Sequence, residues 1–193
     1  MSNQRTQPGR CPATELASFI SGLSFETLPE NIISTTEKIF VDEVGVMLAG
    51  LDDEAANRVR ALVQRGRTES LVPLGSQNTL SEMDASLILG TAGHACDYNN
   101  TAMGAIHPSV APIAAILAVG ETVEASGPEL VTAYIAGYEA QCYLGAAILP
   151  SHYERGWHPT STLGIFGVTA ATASLLELSD EEIVHALNLT ASM

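Results

Sequence analysis

The sequence predicts an all-α protein, a multi-helix bundle without a sheet, and three observations carry that reading. Apolar residues recur at helical spacing, as in Leu16, Phe19, Ile20 and Leu23, and again in Ile32, Ile33, Thr36, Ile39, Phe40, Val44 and Met47. Hydrophobic residues make up 46% of the 193 positions but aromatics only 5%, so Ala, Leu, Ile and Val dominate, which suits closely packed helices better than a β-sandwich. Hydroxyl, acidic and proline residues stand where helices should begin, and glycines where they should end.

Taken in order, residues 1–11 read as a disordered leader and residues 12–193 as one helical domain. Thr14 is the expected cap of a first helix reaching about Gly22. Leu28-Pro29-Glu30 opens a longer helix, residues 29–49, with Gly50 as its stop. Asp52 and Asp53 start a third, to about Gln64. Its Arg58, Arg60, Arg65 and Arg67 favour the negative end of the helix dipole and read as a solvated face, not a binding patch. Residues 70–74 form the one strand or loop candidate. Ser81 followed by Asp84 resembles a capping signal for a helix through His94 towards Tyr98. Pro108 or Ser109 begins the next, with Pro112 tolerated in its first turn. Gly127-Pro128-Glu129 starts another, to about Ile148. Residues 160–176 form a helix of small and apolar residues, and Ser179-Asp180-Glu181-Glu182 opens a last one expected to be running still at Met193. Residues 110–119, 133–147 and 164–173 are apolar all round, which places those helices at the centre of the bundle.

The formal charge is −14, with only eight Lys and Arg residues. That excludes a nucleic-acid partner, which needs clustered cations. It also requires that any anionic substrate be attracted by local groups, because the overall field repels it. No stretch approaches the roughly 18 apolar residues of a membrane span, and the polar first twelve residues lack a signal core, so a cytoplasmic protein without membrane partners is expected. On that footing the sequons at Asn99 and Asn188 are accidental. Three widely spaced cysteines, Cys11, Cys96 and Cys142, fit neither a disulfide framework nor a zinc knuckle, and Cys96 reads as core filling.

Chemistry concentrates in two stretches. Gly93-His94-Ala95-Cys96-Asp97-Tyr98-Asn99-Asn100-Thr101 is followed by His107-Pro108-Ser109, and Arg155-Gly156-Trp157-His158-Pro159-Thr160 repeats the His-Pro-hydroxyl pattern. If the helix before the first stretch continues through it, Asp97 and Thr101 share a face. Each proline holds its histidine extended at the threshold of a helix. Taken singly, either His-Pro reads as a cap. Together, two helix N-termini, His107, His158 and Arg155 suit a di- or tricarboxylate without a metal. No ligand spacing for a metal, phosphate loop or dinucleotide fingerprint is present, so no cofactor is expected. His94, His152 and His185 read as structural or surface residues.

The run His94-x-x-Asp97-Tyr98-Asn99-Asn100-Thr101 with His107-Pro108-Ser109 resembles a segment of the MmgE/PrpD family, whose members include 2-methylcitrate dehydratase and cis-aconitate decarboxylase. Gly137-Tyr138-Glu139 and Gly156-Trp157-His158-Pro159-Thr160 followed by Gly164 and Gly167 are similar to its later blocks, in the same order. The resemblance runs from about residue 14 to the end. It implies the N-terminal part of a large helical domain, a homodimer and cofactor-independent chemistry on polycarboxylates. Family active-site positions fall on Asp97, Thr101, His107 and His158. Asn99 and Asn100 depart from the usual acidic pair. Family chains are much longer, and the resemblance puts their catalytic lysine and lid domain beyond Met193; Lys38 does not match by motif.

The expected function is therefore a lyase of the 2-methylcitrate dehydratase type. Asp97, His107 and His158 are the expected catalytic groups, and Thr101 and Arg155 the substrate-binding ones. Within the same family, cis-aconitate decarboxylation or iminodicarboxylate epimerisation would use similar groups. The alternative from another class is a non-catalytic fragment, or a split half that pairs with a second polypeptide.

Overall fold

The computed structural model describes residues 11–65, 80–103 and 106–193. Among these the chain forms nine α-helices and no strand, as the composition and periodicity predict. The leader at residues 1–10, Arg67 and the strand candidate at residues 70–74 lie outside the described residues. The helices are α1 (Pro12–Gly22), α2 (Glu30–Gly50), α3 (Glu54–Val63), α4 (Glu82–Ala95), α5 (Val110–Thr122), α6 (Gly127–Ile148), α7 (Ser151–Glu154), α8 (Pro159–Leu175) and α9 (Asp180–Thr190), with a 3-10 turn at Phe25–Thr27.

The three helices that read as apolar all round are the ones buried. Helix α5 buries Val110, Pro112, Ile113, Ala114, Ala115 and Ile116. It lies between α4 and α8, and α8 packs in turn on α6. Alanine and glycine on α6 and α8 let those two backbones come close, as at Ala133, Ala136, Ala140, Ala170 and Ala171, none more than slightly exposed. One apolar cluster joins Met47, Leu89, Ile113, Ile116, Tyr134 and Leu175. A second joins Leu16 and Ile20 of α1 to Ile183 and Leu187 of α9 across Ala136 and Ala170. Burial of such side chains stabilises the fold by about 25 cal/mol per Å² of apolar surface.

The capping chemistry is mostly as expected. Asp53 accepts from the Ala55 amide at 2.8 Å, Ser81 from the Asp84 amide at 3.2 Å, and the Ser179 amide donates to Glu182 at 2.9 Å. Four boundaries differ. Helix α1 starts at Pro12 after Cys11, so Thr14 is not its cap. Gly50 does not stop α2 but belongs to it, and the next residue, Leu51, is still in the right-handed helical region. A Cβ on Gly50 would stand 1.9 Å from the Ala92 carbonyl oxygen, so this glycine serves the crossing of α2 over α4. Helix α4 ends at Ala95 rather than continuing towards Tyr98, because Asp97 turns the chain with φ 55°. Helix α9 ends at Thr190, short of Met193.

Candidate functional site

His107 and His158 are placed by the two prolines that follow them. Pro108 and Pro159 are both buried, and His158 takes the extended conformation that a following proline favours, φ −91° and ψ 103°, at the N-cap of α8. The His107 amide donates to the hydroxyl of Thr160, in the first turn of α8, at 3.1 Å. That bond ties the start of α5 to the start of α8, so both N-termini open at the same end of the bundle. Helix α6 holds the segment from behind. Buried Gln141 donates to the Pro108 carbonyl at 2.9 Å, and the Ser109 hydroxyl lies 2.7 Å from the Tyr134 hydroxyl. Burial pushes the Tyr134 phenol well above its ordinary range, with the Ser109 hydrogen bond opposing it. Tyr134 is thus a neutral brace.

A third ring completes the group. His94, in the last turn of α4, has its centroid 5.3 Å from that of His107 and 6.0 Å from that of His158, with the latter pair stacked at 25°. His107 Nδ1 lies 3.2 Å from the Asn100 carbonyl, which can only accept, so Nδ1 carries the proton. Its Nε2 stands 3.5 Å from Asp97 Oδ1, which makes an ion pair when the ring is protonated. Asp97 is exposed, so water screens that pair.

After Asp97 reverses the chain, Asn99 folds back into the protein. Its side-chain amide donates to Glu43 Oε1 at 2.8 Å and to the Gly93 carbonyl at 2.9 Å, and its oxygen lies 3.0 Å from His94 Nδ1. Gly93 makes room: a Cβ there would meet Val110 at 2.9 Å and Glu43 Oε1 at 3.1 Å. Glu43 is 1% exposed. Burial pushes its carboxyl above the ordinary value, with the Asn99 hydrogen bond and the His94 ring opposing and Asp42 adding to the rise. Among the described residues Glu43 Oε2, Asn100 Oδ1 and Gln141 Oε1 are buried without a partner.

Of the residues singled out from the sequence, the structure brings Asp97, His107 and His158 into one group. Thr101 lies exposed on the loop after Asp97, and because α4 has ended, the two do not share a helical face. Arg155 is exposed at the C-cap of α7 and makes no ion pair among the described residues. His152 meets Thr162 at 2.7 Å and stacks on Trp157, which fixes the loop leading to His158. The structure adds two neighbours that the sequence reading leaves out of the site. His94 reads as structural from the sequence, although the motif contains it, and its ring lies against both His107 and His158. Glu43 was passed over, yet it falls three residues after Phe40 and four before Met47, on the apolar stripe of α2; a carboxylate there is a signal in itself.

Imidazoles so placed can exchange protons with a bound anion, and the two helix N-termini can neutralise part of its charge. No group of three or more His, Cys, Asp and Glu among the described residues is arranged to hold a metal ion. No helix among them is long and apolar enough to cross a membrane.

Comparison with known proteins places these features in a family. Residues 14–193 match the family model described as the MmgE/PrpD N-terminal domain. The chain is 28% identical over 187 residues to a cis-aconitate decarboxylase from Mus musculus, and 26% identical over 183 residues to one from Homo sapiens. Each alignment covers 91% of this chain and 38% of the relative, so the chain spans well under half the length of these curated relatives.

Proposed function

The chain belongs to the MmgE/PrpD family, and from that premise we propose that it acts as a lyase on a di- or tricarboxylate by acid–base chemistry of its own side chains, in the manner of a 2-methylcitrate dehydratase. The observation that carries this reading is the gathering of His107 and His158 against the His94 ring at the paired starts of α5 and α8, tied by the bond from the His107 amide to Thr160. Dehydration requires one group to take the proton from a carbon beside a carboxylate and another to protonate the departing hydroxyl. The C–H pair becomes the new C=C bond, the C–O bond breaks, and the hydroxyl leaves as water. His107 and His158 are the proton carriers in this scheme. Asp97 orients His107 and stabilises its protonated form. Thr101 donates a hydrogen bond to the substrate, Arg155 pairs with one of its carboxylates, and the helix N-termini hold another.

A second reading within the family is decarboxylation of cis-aconitate, favoured by the likeness to two proteins of that name. There the C–C bond to a carboxylate breaks, carbon dioxide leaves, and the electron pair on carbon takes a proton from one of the same histidines. We also propose a cytoplasmic homodimer. Val41, Leu48, Leu62 and Met83, on the adjoining helices α2, α3 and α4, are 58–81% exposed and support self-association.

Incubation with 2-methylcitrate and with cis-aconitate tests both readings. Formation of an unsaturated tricarboxylate identifies a dehydratase, and release of carbon dioxide a decarboxylase. His107→Ala and His158→Ala are each expected to lower kcat by about 100-fold or more. Unchanged turnover in His158→Ala would remove that residue from the chemistry, and no turnover of any polycarboxylate would overturn the lyase reading.

A further inference from the structure

Asn99 has a side chain whose two ends differ, and its surroundings dictate which way it faces. The Glu43 carboxylate and the Gly93 carbonyl both lie against its nitrogen, at 2.8 and 2.9 Å. Neither offers a proton in its ordinary state, so the amide nitrogen, with its two protons, faces them both. The amide oxygen is therefore the atom 3.0 Å from His94 Nδ1. An oxygen of this kind only accepts, so Nδ1 must carry the ring proton. In a neutral ring the Nε2 lone pair is then free, and Nε2 has no hydrogen-bond partner among the described residues. A free neutral histidine prefers the opposite arrangement, with its proton on Nε2, so the protein has selected the less common form.

The arrangement is also buried and closely fitted. Glu43 is 1% exposed and Asn99 6%. Gly93 leaves space for the carboxylate that a Cβ would take, standing 3.1 Å from it. The charged and titratable groups around His94 are Glu43 and its neighbour Asp42 from α2, His158 from the start of α8, and His107 and Asp97 from the connecting loop.

We propose that Glu43 and Asn99 are positioning residues for His94, and that His94 is a third member of the site, presenting an unprotonated Nε2 as proton acceptor beside His107 and His158. In the reaction proposed above, on which this role rests, His94 takes over the base role from one of the other two histidines: Nε2 takes the proton from the carbon beside the carboxylate and the ring becomes a cation. Its Nδ1–H stays bonded to the Asn99 oxygen, and the Glu43 carboxylate one hydrogen bond further on offsets the new charge. His107 or His158, in its protonated form, supplies the proton with which the hydroxyl leaves.

Long-range nitrogen–proton NMR on the full chain labelled with ¹⁵N-histidine reads the tautomer directly, with His94 assigned from the signal lost in His94→Gln. At a pH where the ring is neutral, the expected spectrum has His94 protonated at Nδ1 and bare at Nε2. Asn99→Leu, which removes the acceptor at Nδ1, reverts to Nε2–H. A wild-type His94 in the Nε2–H form would overturn the proposal, and should Asn99→Leu not fold, the wild-type spectrum decides alone. His94→Gln is expected to lower kcat by about 100-fold or more; turnover retained in that variant would remove His94 from proton transfer. A protein with the expected tautomer but no turnover of any polycarboxylate would sink the lyase reading while leaving the Glu43–Asn99–His94 arrangement established.

Discussion

Glu43 is a carboxylate held where only apolar side chains would be expected, and its environment sets the sign of a pH effect. Burial raises its folded-state value above the ordinary 4.5. Below about pH 4.5 the carboxyl is neutral in both folded and unfolded chains, and its contribution to stability is complete. As pH rises through the raised folded value, the unfolded chain has already lost the proton and the folded one must give it up, so stability falls. Glu43→Gln keeps an acceptor for Asn99 and removes the titration. The thermal midpoint of Glu43→Gln should therefore gain on wild type between about pH 4 and pH 8, and a constant difference across that range would contradict the assignment. His107 and His158 were legible in the sequence because proline imposes a local conformation that can be read without knowing the fold. His94 was not, because nothing local separates a histidine that ends a helix from one that faces a site. The role proposed for it depends, through Asn99, on Glu43, fifty-one positions away from His94 along the chain.

Two kinds of residue govern the helices, and they respond differently to change. Gly50 reads as a stop in the sequence because glycine commonly ends helices, but the sequence does not show that α4 crosses at that point. Gly→Ala in an open helix gains about 0.5–1 kcal/mol. Here the added methyl would strike the Ala92 carbonyl oxygen, and overpacking of this kind costs about 1–3 kcal/mol. Gly50→Ala should thus lower the urea midpoint, and a rise would restore the reading of Gly50 as a simple terminus. The helix starts are local and were legible. Ser179 with Glu182 forms a reciprocal cap on α9, and Ser179→Ala should cost about 1 kcal/mol, measured in the same way. The Ser179 side chain and amide hold the Glu182 carboxyl below its ordinary value. That stabilisation is present above about pH 4.5 and fades as pH falls through the lowered value, the opposite sign to Glu43. The end of α4 departs from the sequence expectation because Asn99 closes it from beyond, donating back to the Gly93 carbonyl, and a cap supplied across a left-handed Asp97 has no pattern in sequence spacing.

At the scale of the molecule, a net charge of −14 surrounds a site proposed to bind an anion. The attractive groups are short-range: helix N-termini, protonated imidazoles and, in the proposal, Arg155. The repulsive field is long-range and is the first to be screened as the Debye length falls from about 30 Å at 0.01 M salt to about 8 Å at 0.15 M. KM for a tricarboxylate should therefore fall over that range of ionic strength, and a rise would mean that exposed cations dominate recognition. The all-α architecture and its buried centre were legible because α5, α6 and α8 advertise burial by being apolar all round. Which helix ends meet was not, since that is fixed by tertiary bonds such as the one from the His107 amide to Thr160.

The central claim is that His94, His107 and His158 surround one polycarboxylate site. Titration of a tricarboxylate into the ¹⁵N-histidine-labelled protein, followed by the five ring signals, tests it most directly. The predicted result is saturable movement of the His94, His107 and His158 resonances with one common affinity, while His185 stays fixed. Movement of His185 alone, or no saturable change in the three, would contradict it.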